Sequence, residues 1–112
     1  MIGIDVRLSA LRALLGSVPS SLRAFSVETA ETEVRTRAIF DATATEDDRE
    51  LLSVACTEII ADYPAPWTIA EEALAISTGD EMEHLKELIF LRHEKRGAPA
   101  DVIVTSGCQV LD

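Results

Sequence analysis

Apolar positions recur along this chain with a helical period in two stretches and with a period of two in others, and this alternation predicts its elements. Near the start, Ile4, Leu8, Leu11 and Leu15 fall at helical spacing over residues 5–15, with Asp5 at an N-cap position and Gly16 where a C′ glycine would end a helix. This is the first predicted helix. Residues 17–21 form a connector, because Pro19 has no N–H and pushes Val18 out of the α region. Residues 22–29 and 33–41 are rich in β-branched and aromatic side chains. In the second run Val34, Thr36, Ala38 and Phe40 alternate with Glu33, Arg35, Arg37 and Ile39. The link Ala30-Glu31-Thr32 makes the two runs a hairpin, whose solvent face would carry Arg35 and Arg37 beside Glu28 and Glu31.

A second helix begins at Thr45-Glu46-Asp47-Asp48. The spacing is that of a capping box, and the carboxylates of the first turn face the positive end of the helix dipole. Leu51, Leu52, Ala55, Cys56, Ile59, Ile60 and Tyr63 fill one broad arc of this helix, and Pro64 and Pro66 stop it. Glu58 and Asp62, four residues apart, line one edge of that arc on the side of Asp47. Residues 68–75 admit two readings. Thr68 and Glu71 have capping-box spacing and Ala, Leu and Glu favour helix, whereas strict alternation favours a strand. In the strand reading Ala70, Glu72, Leu74 and Ile76 share one face, and Trp67, Ile69, Glu71, Ala73 and Ala75 the other. Ser77-Thr78-Gly79-Asp80 is turn chemistry, and residues 86–94 give a last strand with Leu88 and Phe90 opposite Ile89 and Leu91.

Taken as strands, these runs complete the order α-β-β-α-β-β. The expected fold is an α+β two-layer sandwich, with two helices on one face of a four-stranded antiparallel sheet. A single domain would span residues 1–96, followed by an appendix over 97–112 containing the β-prone run Val102-Ile103-Val104. A length of 112 residues bounds the chain to one domain with one core, and 47% hydrophobic residues suffice to fold it. No run approaches the roughly 18 apolar residues of a membrane span, and the first residues lack a basic segment followed by an apolar one; a cytoplasmic location is expected.

Charge narrows the function classes. The formal net charge is -10, with 20 acidic residues against 10 basic ones, which argues against nucleic-acid binding and suits a basic protein partner. The surplus is local. Between positions 58 and 87 stand Glu58, Asp62, Glu71, Glu72, Asp80, Glu81, Glu83 and Glu87, with Lys86 as the one Lys or Arg among them. A field of this kind speeds association with a cationic protein, so Glu58, Asp62, Glu71, Glu72, Asp80, Glu81 and Glu83 are candidate partner-binding residues. Tyr63 and Trp67 join them as aromatic groups able to serve either the core or an interface.

Catalytic chemistry finds little material. Glu81-x-x-His84 would share a face only on a helix and lacks a further ligand pair, and His93 sits between Arg92 and Glu94 on an edge-strand pattern. Cys56 and Cys108 are too far apart for a metal or redox motif and read as reduced thiols, Cys56 as a small core hydrophobe. No phosphate-binding glycine loop or nucleophile motif is present. No enzyme activity, cofactor or metal is expected.

The run 46–52, Glu-Asp-Asp-Arg-Glu-Leu-Leu, followed by Ala55-Cys56-Thr57-Glu58-Ile59-Ile60-Ala61-Asp62-Tyr63-Pro64, resembles the central helix of small immunity proteins encoded beside bacterial polymorphic toxins, including those of contact-dependent growth inhibition systems. The strand pieces Leu22-Arg23-Ala24-Phe25 and Ala38-Ile39-Phe40-Asp41 are similar to that family as well. The resemblance covers residues 5 to about 95. It implies an α-β-β-α-β-β domain that binds the cognate toxin's C-terminal domain and blocks its active site, with the toxin commonly a nuclease or another basic, nucleic-acid-directed enzyme. It also implies that Glu58 and Asp62 are interface residues. The rival readings are a small acidic secretion chaperone or adaptor, and a small hydrolase or metal-dependent enzyme centred on His84 and nearby carboxylates.

Overall fold

The computed structural model describes residues 5–94. The expected appendix, with Cys108 and the Val102-Ile103-Val104 run, lies outside the described residues, as does Ile4. Six elements follow one another: α1 (Val6–Leu14), β1 (Leu22–Ala30), β2 (Glu33–Phe40), α2 (Glu46–Ala61), β3 (Thr68–Ala75) and β4 (Glu87–Leu91). Local chemistry sets their ends. The Asp5 carboxylate accepts from the Arg7 N–H at 2.9 Å, and Gly16 takes φ 78° just past α1. Thr45 and Asp48 form the reciprocal capping box of α2. Residues 68–75 are strand, because their alternating side chains lie along β2 and tertiary pairing overrides helix propensity.

The face that α1 buries differs from the expected one. Ser9, Ala10, Ala13 and Leu14 point into the protein, while Leu8, Leu11 and Leu15 are 58%, 50% and 78% exposed. Small Ala side chains let the helix sit close against its neighbours, and the Ser9 hydroxyl finds a carboxylate in Asp62. In α2 the buried residues are Leu52, Ala55, Cys56 and Ile59; Leu51, expected on the same arc, is exposed.

The sheet runs in the order β3-β2-β1-β4 and is mixed rather than antiparallel, which corrects the expected topology. β1 and β2 form the hairpin, and β4 lies antiparallel on the far side of β1, but β3 pairs parallel with β2. The cause is the length of α2. Its 16 residues rise about 24 Å, close to the roughly 27 Å of an eight-residue strand, so the helix returns the chain to the end where β2 began. A strand delivered there must run parallel. The register of β4 also departs from simple alternation. A shift between Phe25 and Ser26 sets Phe90 opposite Phe25 and Leu88 opposite Ser26, so Leu88 and Phe90 do not share a face.

One sheet face carries Phe25, Val27, Val34, Ala38 and Phe40 into a single core with Ala10, Ala13, Leu52, Ala55 and Ile59 of the helices. α1 packs against β1 and β4, α2 against β2 and β3, and the helices against each other. The opposite face is crossed by the loop 76–86, which carries the chain from one edge of the sheet to the other.

That loop is held by a buried cation. Arg23 of β1 is 2% exposed, and all five of its N–H groups can be accounted for. Its Nε and Nη2 donate to the two Glu94 carboxylate oxygens at 2.7 and 2.9 Å. Nη1 donates to the carbonyls of Ile76 and Ser77, both at 3.0 Å, and Nη2 also to the Asp80 carbonyl at 3.3 Å. Arg92 extends the network, donating to Glu94 at 2.9 Å and to Asp41 at 2.8 Å. The Arg23 guanidinium, with Arg92 assisting, holds the Glu94 carboxyl down at about 2; the Thr43 hydroxyl and then Arg92 hold Asp41 at about 2.

Because both carboxyls titrate below their unfolded values, the stability they contribute is full above about pH 4.5 and is lost as pH falls toward 2. Glu94→Gln should cost about 2 kcal/mol at pH 6 in urea denaturation, since a buried guanidinium loses its charged partner. The variant should then lose less stability than wild type between pH 6 and pH 3. Equal acid sensitivity in the two proteins would show that Glu94 does not carry the effect.

Candidate functional site

Of the 10 Lys and Arg residues, Lys95 and Arg96 fall outside the described region. Six of the remaining eight are engaged internally: Arg7 with Asp5, Arg12 with Asp62, Arg23 with Glu94, Arg35 with Glu28 and Glu33, Arg37 with Glu72, and Arg92 with Asp41 and Glu94. The acids behave differently. In the stretch from 58 to 87, Asp62 and Glu72 are paired, whereas Glu58, Glu71, Asp80, Glu81, Glu83 and Glu87 form no ion pair among the described residues. Positive charge is thus consumed in holding the fold, and the negative surplus faces solvent. Exposed pairs contribute little stability individually, so the main consequence of this asymmetry is the field it leaves outside the molecule.

The fold distributes the expected interface residues over separate places. Glu58 is exposed on α2. Asp62 caps the C-terminus of α2, and its carboxylate accepts from both the Ser9 hydroxyl and the Arg12 guanidinium, tying α1 to α2. Tyr63 and Trp67 stack on each other with ring centroids 4.7 Å apart and planes tilted by 42°, and both are half-buried against the core. Glu71 and Glu72 lie on opposite faces of β3; the Arg37 Nε donates to Glu72 at 2.7 Å. Asp80, Glu81 and Glu83 are exposed on the crossing loop. Arg37 therefore pairs across to β3 and also donates to the Glu83 carbonyl at 3.0 Å, rather than meeting Glu28 or Glu31.

Between α2 and β3 runs an open groove of about 240 Å³. Its walls include Glu46, Arg49, Glu50 and Ser53 of α2 and Glu71 of β3, over a floor of Thr36, Ala38 and Cys56. Reading the sequence did not single out Glu46 and Glu50 for this role, because a first-turn carboxylate is already explained by the helix dipole. The one signal was their spacing, which puts both on the same side of α2 as Ser53.

Chemically the groove presents more carboxylates than bases, which gives it a negative field. Cys56 is buried, its Sγ 3.3 Å from the Thr36 hydroxyl, and burial pushes its thiol up to about 11, so it stays protonated and un-nucleophilic. His84 stands on the loop and not on a helix, so Glu81 and His84 do not share a helical face; its Nδ1 is buried without a hydrogen-bond partner. Among the described residues, no group of three or more His, Cys, Asp and Glu side chains could hold a metal ion, and no helix is long and apolar enough to cross a membrane.

The engagement of Asp62 changes what its mutation tests. Asp62→Ala should lower stability by about 1 kcal/mol through loss of the Ser9 and Arg12 bonds, read as a lower urea midpoint. Glu58→Ala, which removes no internal bond, should leave the midpoint unchanged. Identical midpoints for both variants would count against the role of Asp62 in joining the helices.

No curated protein matches this chain. The family model of the MafI2 immunity protein matches residues 3–94, a span that includes every helix and strand described above. The chain belongs to the MafI2 immunity protein family.

Proposed function

We infer that this chain protects its cell by binding the C-terminal toxic domain of a cognate toxin and covering that domain's active site with carboxylates. In this reading the toxin is a basic, nucleic-acid-directed enzyme, nuclease-like in its need to grip phosphates, and the encounter takes place in the cytoplasm after delivery by a contact-dependent or related secretion route. The chain itself makes and breaks no covalent bonds.

The observation that carries the reading is the division of charge. Six of the described bases are locked into internal pairs, while Glu58, Glu71, Asp80, Glu81, Glu83 and Glu87, which form no ion pair among the described residues, are left to act outward. An enzyme that holds nucleic acid presents Lys and Arg to phosphates. Carboxylates on an inhibitor compete for the same groups, steer the encounter at long range and suppress wrong partners. Membership in an immunity protein family supplies the partner class, a cognate toxin.

The test uses the toxin domain encoded beside this chain. Co-expression should restore growth, and the purified protein should block the toxin's cleavage of nucleic acid. Its association rate should fall about tenfold or more between 50 and 500 mM NaCl. The triple variant Glu71→Gln/Glu81→Gln/Glu83→Gln should associate about tenfold more slowly at low salt while melting at the wild-type temperature. A rate indifferent to both salt and the triple substitution would overturn the electrostatic reading.

A further inference from the structure

We propose that the free edge of β3 is where the partner docks, by adding an extended, basic segment of the toxin to the sheet as a fifth strand. The proposal rests on the reading of function just given and specifies the surface and the form of the contact.

β3 pairs with β2 on one side and, among the described residues, with no strand on the other. The Thr68 N–H donates to the Thr32 carbonyl at 3.0 Å and the Ile76 N–H to the Phe40 carbonyl at 2.9 Å. Backbone groups of a parallel strand alternate in direction from residue to residue, so the even-numbered positions face β2. Ile69, Glu71, Ala73 and Ala75 therefore turn their N–H and C=O groups away from the sheet. Such a row is a template for another strand, which proteins blunt with Pro, a bulge, a covering segment or charged side chains. β3 has no Pro and its register with β2 is unbroken; the charges it carries, Glu71 and Glu72, are both acidic, so they deter a neutral or acidic strand and not a basic one. The other edge of the sheet is a poorer template. β4 has five residues, its pairing is interrupted by a register shift, and α1 packs against it.

Charge selects the occupant. An added strand would lie beyond β3, at the open rim of the α2–β3 groove, whose lining carries Glu46, Glu50 and Glu71 against Arg49, while Glu72 is already paired with Arg37. A second copy of β3 would bring Glu71 toward its own kind, and like charges on adjacent strands are destabilising. An extended segment with Lys or Arg at alternate positions gains both the backbone bonds and the carboxylates.

Amide hydrogen exchange on the full chain, alone and bound to the toxin domain encoded beside it, tests the proposal. Binding should slow exchange at Ile69, Glu71, Ala73 and Ala75 by about tenfold or more. Ala73→Pro removes one outward donor and leaves the β2 ladder in place; it should weaken binding about tenfold, as should Glu71→Arg. If Ala73→Pro lowers the melting temperature, the exchange data and Glu71→Arg decide alone. A toxin that binds without protecting these amides, or that protects α1 instead, overturns the docking site and leaves the immunity reading standing. Protection already present in the free protein would mean that the edge is filled by its own chain or a second copy, and would also overturn it. If no complex forms, the functional reading falls and this surface falls with it.

Discussion

A guanidinium inside a sheet is tolerable only when every one of its donors is met, and Arg23 meets that condition with groups drawn from far along the chain. Its partners are a carboxylate at position 94 and three carbonyls between 76 and 80. Once those bonds are made, the segment after β3 has to cross the sheet instead of folding back as a hairpin. β4 is then laid beside β1, and β3 is left at the rim with no described strand on its outer side. The same bonds place Asp80, Glu81 and Glu83 on the sheet face that the helices do not cover. One buried cation thus shapes both the free strand edge and the arrangement of acids on the second face.

The economy of charge follows a similar logic. Arg92 bridges Asp41 and Glu94, Arg12 joins α1 to α2 through Asp62, and Arg37 links β2 to β3 through Glu72. Each of these bases connects two elements or a strand and its flank. Fixing the fold uses six of the eight described bases, and many carboxylates form no ion pair among the described residues. In the function proposed above, the bases serve chiefly to assemble the domain and the surplus carboxylates serve to meet the partner.

Much of the fold was legible because it is written locally. Thr45 and Asp48 announced the start of α2, the alternation of Val34, Thr36, Ala38 and Phe40 announced β2, and the turn at Ser77 is closed by the Asp80 N–H at 3.0 Å as its composition suggests. What was not legible is non-local. Strand direction in β3 depends on where α2 sets the chain down, and no residue of 68–75 encodes it. The leucine spacing of α1 pointed to the wrong face, because the core there needs small residues for close approach and periodicity alone does not measure distance. Arg23 looked like one polar position in a strand, since its partners lie more than fifty residues away. The acidic stretch was visible as composition, but its splitting between groove, helix and loop emerged only with the sheet order.

The most direct test is the structure of this protein bound to its cognate toxin domain. The expected result is a toxin strand seated against Ile69, Glu71, Ala73 and Ala75, with its Lys and Arg side chains within ion-pairing distance of Glu71 and its neighbours in the groove. A complex in which the exposed Leu8, Leu11 and Leu15 of α1 make the contact, while those carboxylates remain in solvent, would contradict it.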